Sequence, residues 1–167
     1  IIISKNAAEA SASAKILESG NENTTLKFTL DEKYLPLPLP LKDNTIRDNL
    51  QLIKVTGLKK GFYTLTVDNQ EVMTASAQKW AEGVAITQGP DFNQVAQLRE
   101  MIIKKNEQFF FQYRPLNRTY ILGFRSYEQG RHAKGLEEQS LIIKWLEGQI
   151  ALHSLPKSRV YQLSPVK

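Results

Sequence analysis

The sequence predicts an α+β protein in which a small antiparallel β module is followed by a helical hairpin. Three observations carry that expectation. Apolar and polar residues alternate through the first part, as in Leu26, Phe28 and Leu30, which is the period of a strand with one buried face. After Gly89-Pro90 the apolar residues recur at helical spacing, as in Val95, Leu98, Ile102 and Phe109, which is the period of an amphipathic helix. Charge divides the chain as well. Residues 1–90 hold 10 basic and 10 acidic side chains, and residues 91–167 hold 12 and 7. The resulting organisation is a β-rich accessory module over 1–90, then a helical hairpin with an Arg/aromatic connection and an extended tail over 91–167.

The elements follow in order. Ala7 to Ala14 is a small-residue lead, and Gly20-Asn21-Glu22-Asn23 is turn chemistry. Thr24 to Leu30 is the first predicted strand. Leu35-Pro36-Leu37-Pro38-Leu39-Pro40 cannot be helix or central strand, because each proline fixes φ and removes a donor. That run is expected to lie extended and cover an edge, or to serve as a recognition ligand for another domain. Leu50 to Val55 and Gly61 to Val67 are the next strands. Asp68-Asn69 makes a tight turn into a fourth strand over Gln70 to Met73. Ser76 caps a short helix that Gly83 stops.

The second part is helical. A long helix starts after the Gly89 to Asn93 loop and runs to about Tyr113, where Pro115 ends it. A second helix spans Leu136 to His153, with Ile142, Trp145, Leu146 and Ile150 as its apolar face and Glu137 and Glu138 suiting the helix dipole. Pro156 closes it, and an extended tail runs to Lys167.

Composition narrows the chemistry. The chain has 167 residues and a net charge of +5, a length that supports one domain or two small ones. Cysteine is absent, which removes thiolate metal sites, iron–sulfur clusters and cysteine nucleophiles. His132 and His153 stand without metal-ligand spacing, so no metal and no cofactor is expected. No apolar run approaches the roughly 18 residues of a membrane helix. No signal peptide is visible within the chain, and its opening on Ile1 rather than Met suggests processing, a boundary or a missing upstream part.

None of the ten serines lies in a G-D-S or G-x-S-x-G elbow, where the turn would expose the hydroxyl beside an oxyanion hole. The glycines match neither a phosphate loop nor a dinucleotide fingerprint. Basic charge interleaved with aromatics invites a nucleic-acid reading. The neutral first part and the absence of any recognition motif weigh against it, so no nucleic acid is expected. The chain alone is therefore not expected to be an enzyme.

The informative stretch is 113–132, which holds four arginines, four aromatics and one acid. Guanidinium forks there suit carboxylate, phosphate or sulfate, or stack on rings. Tyr113, Arg114, Asn117, Tyr120, Arg125 and Glu128 are the candidate ligand or domain-interface residues. The competing interpretation is that Arg114, Arg125 and Glu128 merely tie the connection to the body of the protein.

Several runs carry a family resemblance: Trp80-Ala81-Glu82-Gly83-Val84, Ile103-Lys104-Lys105-Asn106-Glu107, Tyr113-Arg114-Pro115 with Asn117 and Thr119-Tyr120, and Gly123-Phe124-Arg125 with Glu128-Gln129-Gly130. Together they resemble the C-terminal region of bacterial SGNH/GDSL-type hydrolases, of planctomycete or verrucomicrobial kind, over roughly residues 24–152. The catalytic G-D-S and D-x-x-H blocks of that family do not occur here, so no catalytic residue is carried over.

The resemblance implies a non-catalytic accessory segment of an ester hydrolase, packing on a catalytic domain in a position to wall its cleft. Its partners would be an upstream catalytic domain or companion polypeptide and a carbohydrate or lipid ester, in a periplasmic or secreted setting. Arg131-His132 and Lys134-Gly135 are more basic than that family would have. The alternative is a glycan- or polyanion-binding or structural module of a larger assembly without esterase activity.

Overall fold

Residues 1–4, 9–10, 14–19, 25–30, 32–38, 51–113 and 133–166 are described in the structure, a computed structural model. The architecture is α+β, and the chain forms two compact units. The first comprises Ile1–Ala96 with Pro156–Lys167, and the second Gln97–Leu155.

Among the described residues the first unit has nine strands in two sheets. The strands are β1 (Ile2–Ser4), β2 (Glu9–Ala10), β3 (Ala14–Ser19), β4 (Leu26–Leu30), β5 (Gln51–Thr56), β6 (Phe62–Val67), β7 (Gln70–Ser76), β8 (Val84–Ile86) and β9 (Arg159–Pro165). One sheet has the order β2-β1-β5-β8 and the other β3-β4-β9-β6-β7. All neighbours run antiparallel except β1 and β5, which are parallel.

The alternation expected in β4 and β6 holds. Leu26, Phe28 and Leu30 are buried, as are Tyr63, Leu65 and Val67. The tail expected after Pro156 is extended, and its strand β9 is the middle member of the five-stranded sheet. Two cross-strand rows result. Leu163 lies between Leu26 and Leu65, and Tyr161 lies between Phe28 and Val67. Phe28 and Tyr161 stack with ring centroids 5.3 Å apart, a pairing that adds to the area both rings bury. Asp68 and Asn69 both have positive φ, 49° and 67°. They make the two-residue β6–β7 turn whose hand matches the strand twist.

The second sheet closes the same core. Ile3 of β1 and Ile53 and Val55 of β5 join Leu26, Phe28 and Leu65 in one buried cluster. Helix α1 (Ala77–Glu82) adds Trp80, fully buried, whose Nε1 donates to the Tyr63 carbonyl at 3.2 Å. Ser76 caps α1 by accepting from the Lys79 N–H, and Gly83 ends it with φ 115°, as expected from the sequence.

Helix α2 (Pro90–Tyr113) starts earlier than the sequence predicts. Pro90 occupies the first helical position, where a missing N–H costs nothing, and the Asn93 N–H already bonds the Gly89 carbonyl. Gly89 is required there. Its φ is 125°, and a Cβ would meet Val72 Cγ2 at 3.0 Å.

In the second unit, α2 continues from Gln97 and α3 covers Ala133–His153. The Gln112 side-chain amide donates to Ser140 Oγ and joins the two helices. Their covered faces differ from the expected ones. On α2, Ile102 and Phe109 are exposed, whereas Leu98, Met101, Lys105 and Gln108 are partly covered. On α3, Leu146 is buried as expected, but it is Ile143 that accompanies it, and Ile142 and Trp145 face outward. Leu35 is half-covered and Leu37 exposed, and Leu39 lies outside the described residues.

Candidate functional site

The densest polar constellation among the described residues centres on Arg159, at the start of β9. Its Nε donates to Asp91 Oδ1, its Nη1 to Asp68 Oδ2 at 2.8 Å and its Nη2 to Gln94 Oε1 at 3.1 Å. Three elements are thereby held at one place: the β6–β7 turn through Asp68, the first turn of α2 through Asp91 and Gln94, and the central strand. Asp68 Oδ1 also accepts from the Val160 N–H at 3.0 Å, and the Asp68 N–H donates to the Val160 carbonyl at 2.9 Å. Tyr161 completes the group by donating its hydroxyl to Asp91 Oδ2 at 3.3 Å.

Local sequence explains the placement. Asp91 lies in the first turn of α2, where the free N–H groups and helix dipole favour a carboxylate. Asp68 tolerates the left-handed backbone its turn demands. The Arg159 side chain is 12% exposed, so burial works against its charge. The hydrogen bonds and charges of Asp91 and Asp68 outweigh that and hold the guanidinium above its ordinary pKa. Burial first, and then the Asp91 carboxylate, raise the Tyr161 phenol well above its ordinary value. Both effects fix the protonation states: Arg159 stays cationic and Tyr161 stays neutral. With its fork engaged on three side chains, Arg159 acts as a clamp within the first unit.

A second feature is a groove of about 540 Å³ beside α1, lined by Leu58, Lys60, Phe62, Ser76, Gln78 and Ala81 among others. Phe62 is 62% exposed and forms one wall. The Ser76 hydroxyl is committed to the α1 cap.

Tyr113 is the last residue of α2, while Arg114, Asn117, Tyr120, Arg125 and Glu128 lie outside the described residues, as does His132. His153 Nδ1 lies 2.9 Å from the Gln149 carbonyl at the end of α3. Among the described residues no group of three or more His, Cys, Asp or Glu is placed to hold a metal ion, and no helix is long and apolar enough to cross a membrane.

The Arg159 clamp escaped sequence reasoning because its members are scattered. One signal was available. Tyr161 and Leu163 alternate with Val160 and Gln162, the pattern of a strand with one buried face, and a strand there would have brought Arg159 into a sheet.

No family model and no curated protein matches the chain. Its fold is similar to that of a solved structure described as "BT4096 a gut microbial diltiazem-metabolizing enzyme", with a TM-score of 0.69 and 20% identity. The similarity covers 99% of this chain and 49% of that one, so the chain spans about half the length of the enzyme it resembles. The expected membership of the SGNH/GDSL-type hydrolases is corrected by these results. The motif runs that suggested it match no family model, and the fold is similar over 99% of the chain to about half of BT4096. Short runs of Gly, Pro, Arg and aromatic residues mark turns and helix ends in many proteins, which is why they misled here.

Proposed function

We propose that this chain is a non-catalytic half of a larger enzyme, and that it packs on the half that carries the reacting groups. The observation that carries this reading is the extent of the fold similarity, nearly all of this chain against half of an enzyme chain. The Arg159 clamp agrees with it. A guanidinium whose donors are spent on Asp68, Asp91 and Gln94 serves to fix the entry of α2 and has no fork left to offer a substrate.

Turnover by the 167-residue chain alone tests the proposal, with diltiazem and a panel of p-nitrophenyl esters as probes. The chain by itself is expected to convert none of them. Conversion by the isolated chain, abolished by substituting a residue within it, would overturn the reading.

A further inference from the structure

Helix α3 is apolar on two opposite sides. At about 100° per residue, Ile143, Leu146 and Ile150 share one side, and the first two of these are buried. Leu141, Trp145, Gly148 and Leu152 fall on the other, within an arc of about 60°. There Leu141 is 67% exposed, Trp145 63% and Leu152 67%. Glu137, Glu138 and Lys144, all exposed, flank that stripe. A helix with apolar residues all round is ordinarily covered all round.

Gly148 is a second and independent observation. A glycine in mid-helix weakens the helix relative to alanine, so its presence calls for a close approach or a special backbone. The helix is regular at that point, and a Cβ built on Gly148 would meet nothing within 4 Å. Among the described residues of this unit, none occupies the space that glycine leaves between Trp145 and Leu152. The stripe thus has a notch walled by two large apolar side chains.

We propose that the Leu141/Trp145/Gly148/Leu152 face of α3 is the docking surface for the other half of the enzyme, which seats an apolar side chain over Gly148. This rests on the reading of the chain as one half of a larger enzyme. The occupant follows from the fold similarity. As much chain again stands outside the matched part in BT4096, so a second half of comparable size is at hand to cover a face this large. The wall of apolar groups with charges confined to the flanks fits a folded protein surface with an apolar centre and a polar rim.

Hydroxyl-radical footprinting of the native, full-length protein tests this residue by residue, with Tyr34, 82% exposed, as the internal reference. Docking predicts that Trp145 oxidises about tenfold more slowly than Tyr34, a ring of similar intrinsic reactivity, and that Leu141 and Leu152 oxidise about tenfold more slowly than in the unfolded protein, since anchors of an interface are fully desolvated. Gly148→Phe fills the notch and is expected to return Trp145 to the Tyr34 rate, while Gly148→Ala changes it far less. Should Gly148→Phe fail to fold, Trp145→Ser with Leu141 and Leu152 as reporters gives the same reading.

Trp145 oxidising as fast as Tyr34 in a native protein that does contain a further half would overturn the docking surface and leave the proposed function standing. A native species consisting of this chain alone as a monomer would overturn both. Protection of Trp145 in a dimer of this chain alone would assign the face to a second copy and overturn the proposal as stated.

Discussion

Arg159 Nε donates to Asp91 Oδ1 across 68 residues of sequence, joining the first turn of α2 to the central strand of the five-stranded sheet. Replacing Arg159 by Ala leaves the Asp91 and Asp68 carboxylates facing each other without a cation. The loss is expected to be about 2–3 kcal/mol, below the roughly 3–5 kcal/mol of a broken fully buried pair because Asp68 is partly solvated. Urea unfolding of the variant at neutral pH checks it. Arg159→Lys should recover only part of the loss, since an ammonium cannot span three acceptors as the fork does.

Tyr161 predicts an alkaline limit. Burial and the Asp91 carboxylate raise its pKa in the folded protein above the ordinary 10.0, so the folded state keeps the phenol proton when the unfolded chain has begun to lose it. This contribution is complete below about pH 10 and is lost as pH rises above it. Tyr161→Phe should cost about 1 kcal/mol at pH 8 and flatten the fall in stability between pH 9.5 and 11. An identical alkaline slope in wild type and variant would show that Tyr161 does not set it.

Trp80 closes the core beneath α1. Trp80→Ala is expected to cost about 3–5 kcal/mol from lost burial and the cavity left behind. Trp80→Phe should cost less than that and leave the Tyr63 carbonyl without its indole donor. Thermal unfolding of the two variants ranks them.

Gly89 and Gly148 should respond oppositely to alanine. Gly89→Ala meets a positive φ and the Val72 side chain, and about 1–3 kcal/mol of destabilisation is expected. Gly148→Ala enters open space in a helix, so the 167-residue chain should gain up to about 1 kcal/mol. Equilibrium denaturation of both variants reads the signs directly.

Much of the fold was legible where local period and burial agree. Leu26, Phe28 and Leu30 alternate and one face is buried, so pattern and packing coincide. Ser76 and Gly83 mark the ends of α1 through chemistry that needs no tertiary context. Ile3 shows where this stops. Its strand has three residues, too few to display a period, and it is specified by pairing with Val55 far along the chain. The helices show a second limit. Apolar spacing in α2 and α3 defined stripes, but which stripe is covered depends on what packs there. Ile102 and Phe109 stayed outside while the stem of Lys105 was drawn partly in.

The candidate site was less legible than the fold. The charged stretch 113–132 attracted attention by composition, whereas the Arg159 clamp draws its members from three separate places in the chain, the β6–β7 turn, the start of α2 and β9. The pairing of β9 with β6 brings Arg159 beside Asp68, and the start of α2 adds Asp91. No local pattern encodes a pairing between distant strands.

The central claim, that this chain works as one half of a larger enzyme, is tested most directly by the mass of the native species. Native mass spectrometry of the protein purified from its own source should find the 19.0 kDa of this chain joined, covalently or in a complex, to a further folded part of comparable size. A monomeric species of 19.0 kDa alone would contradict the account.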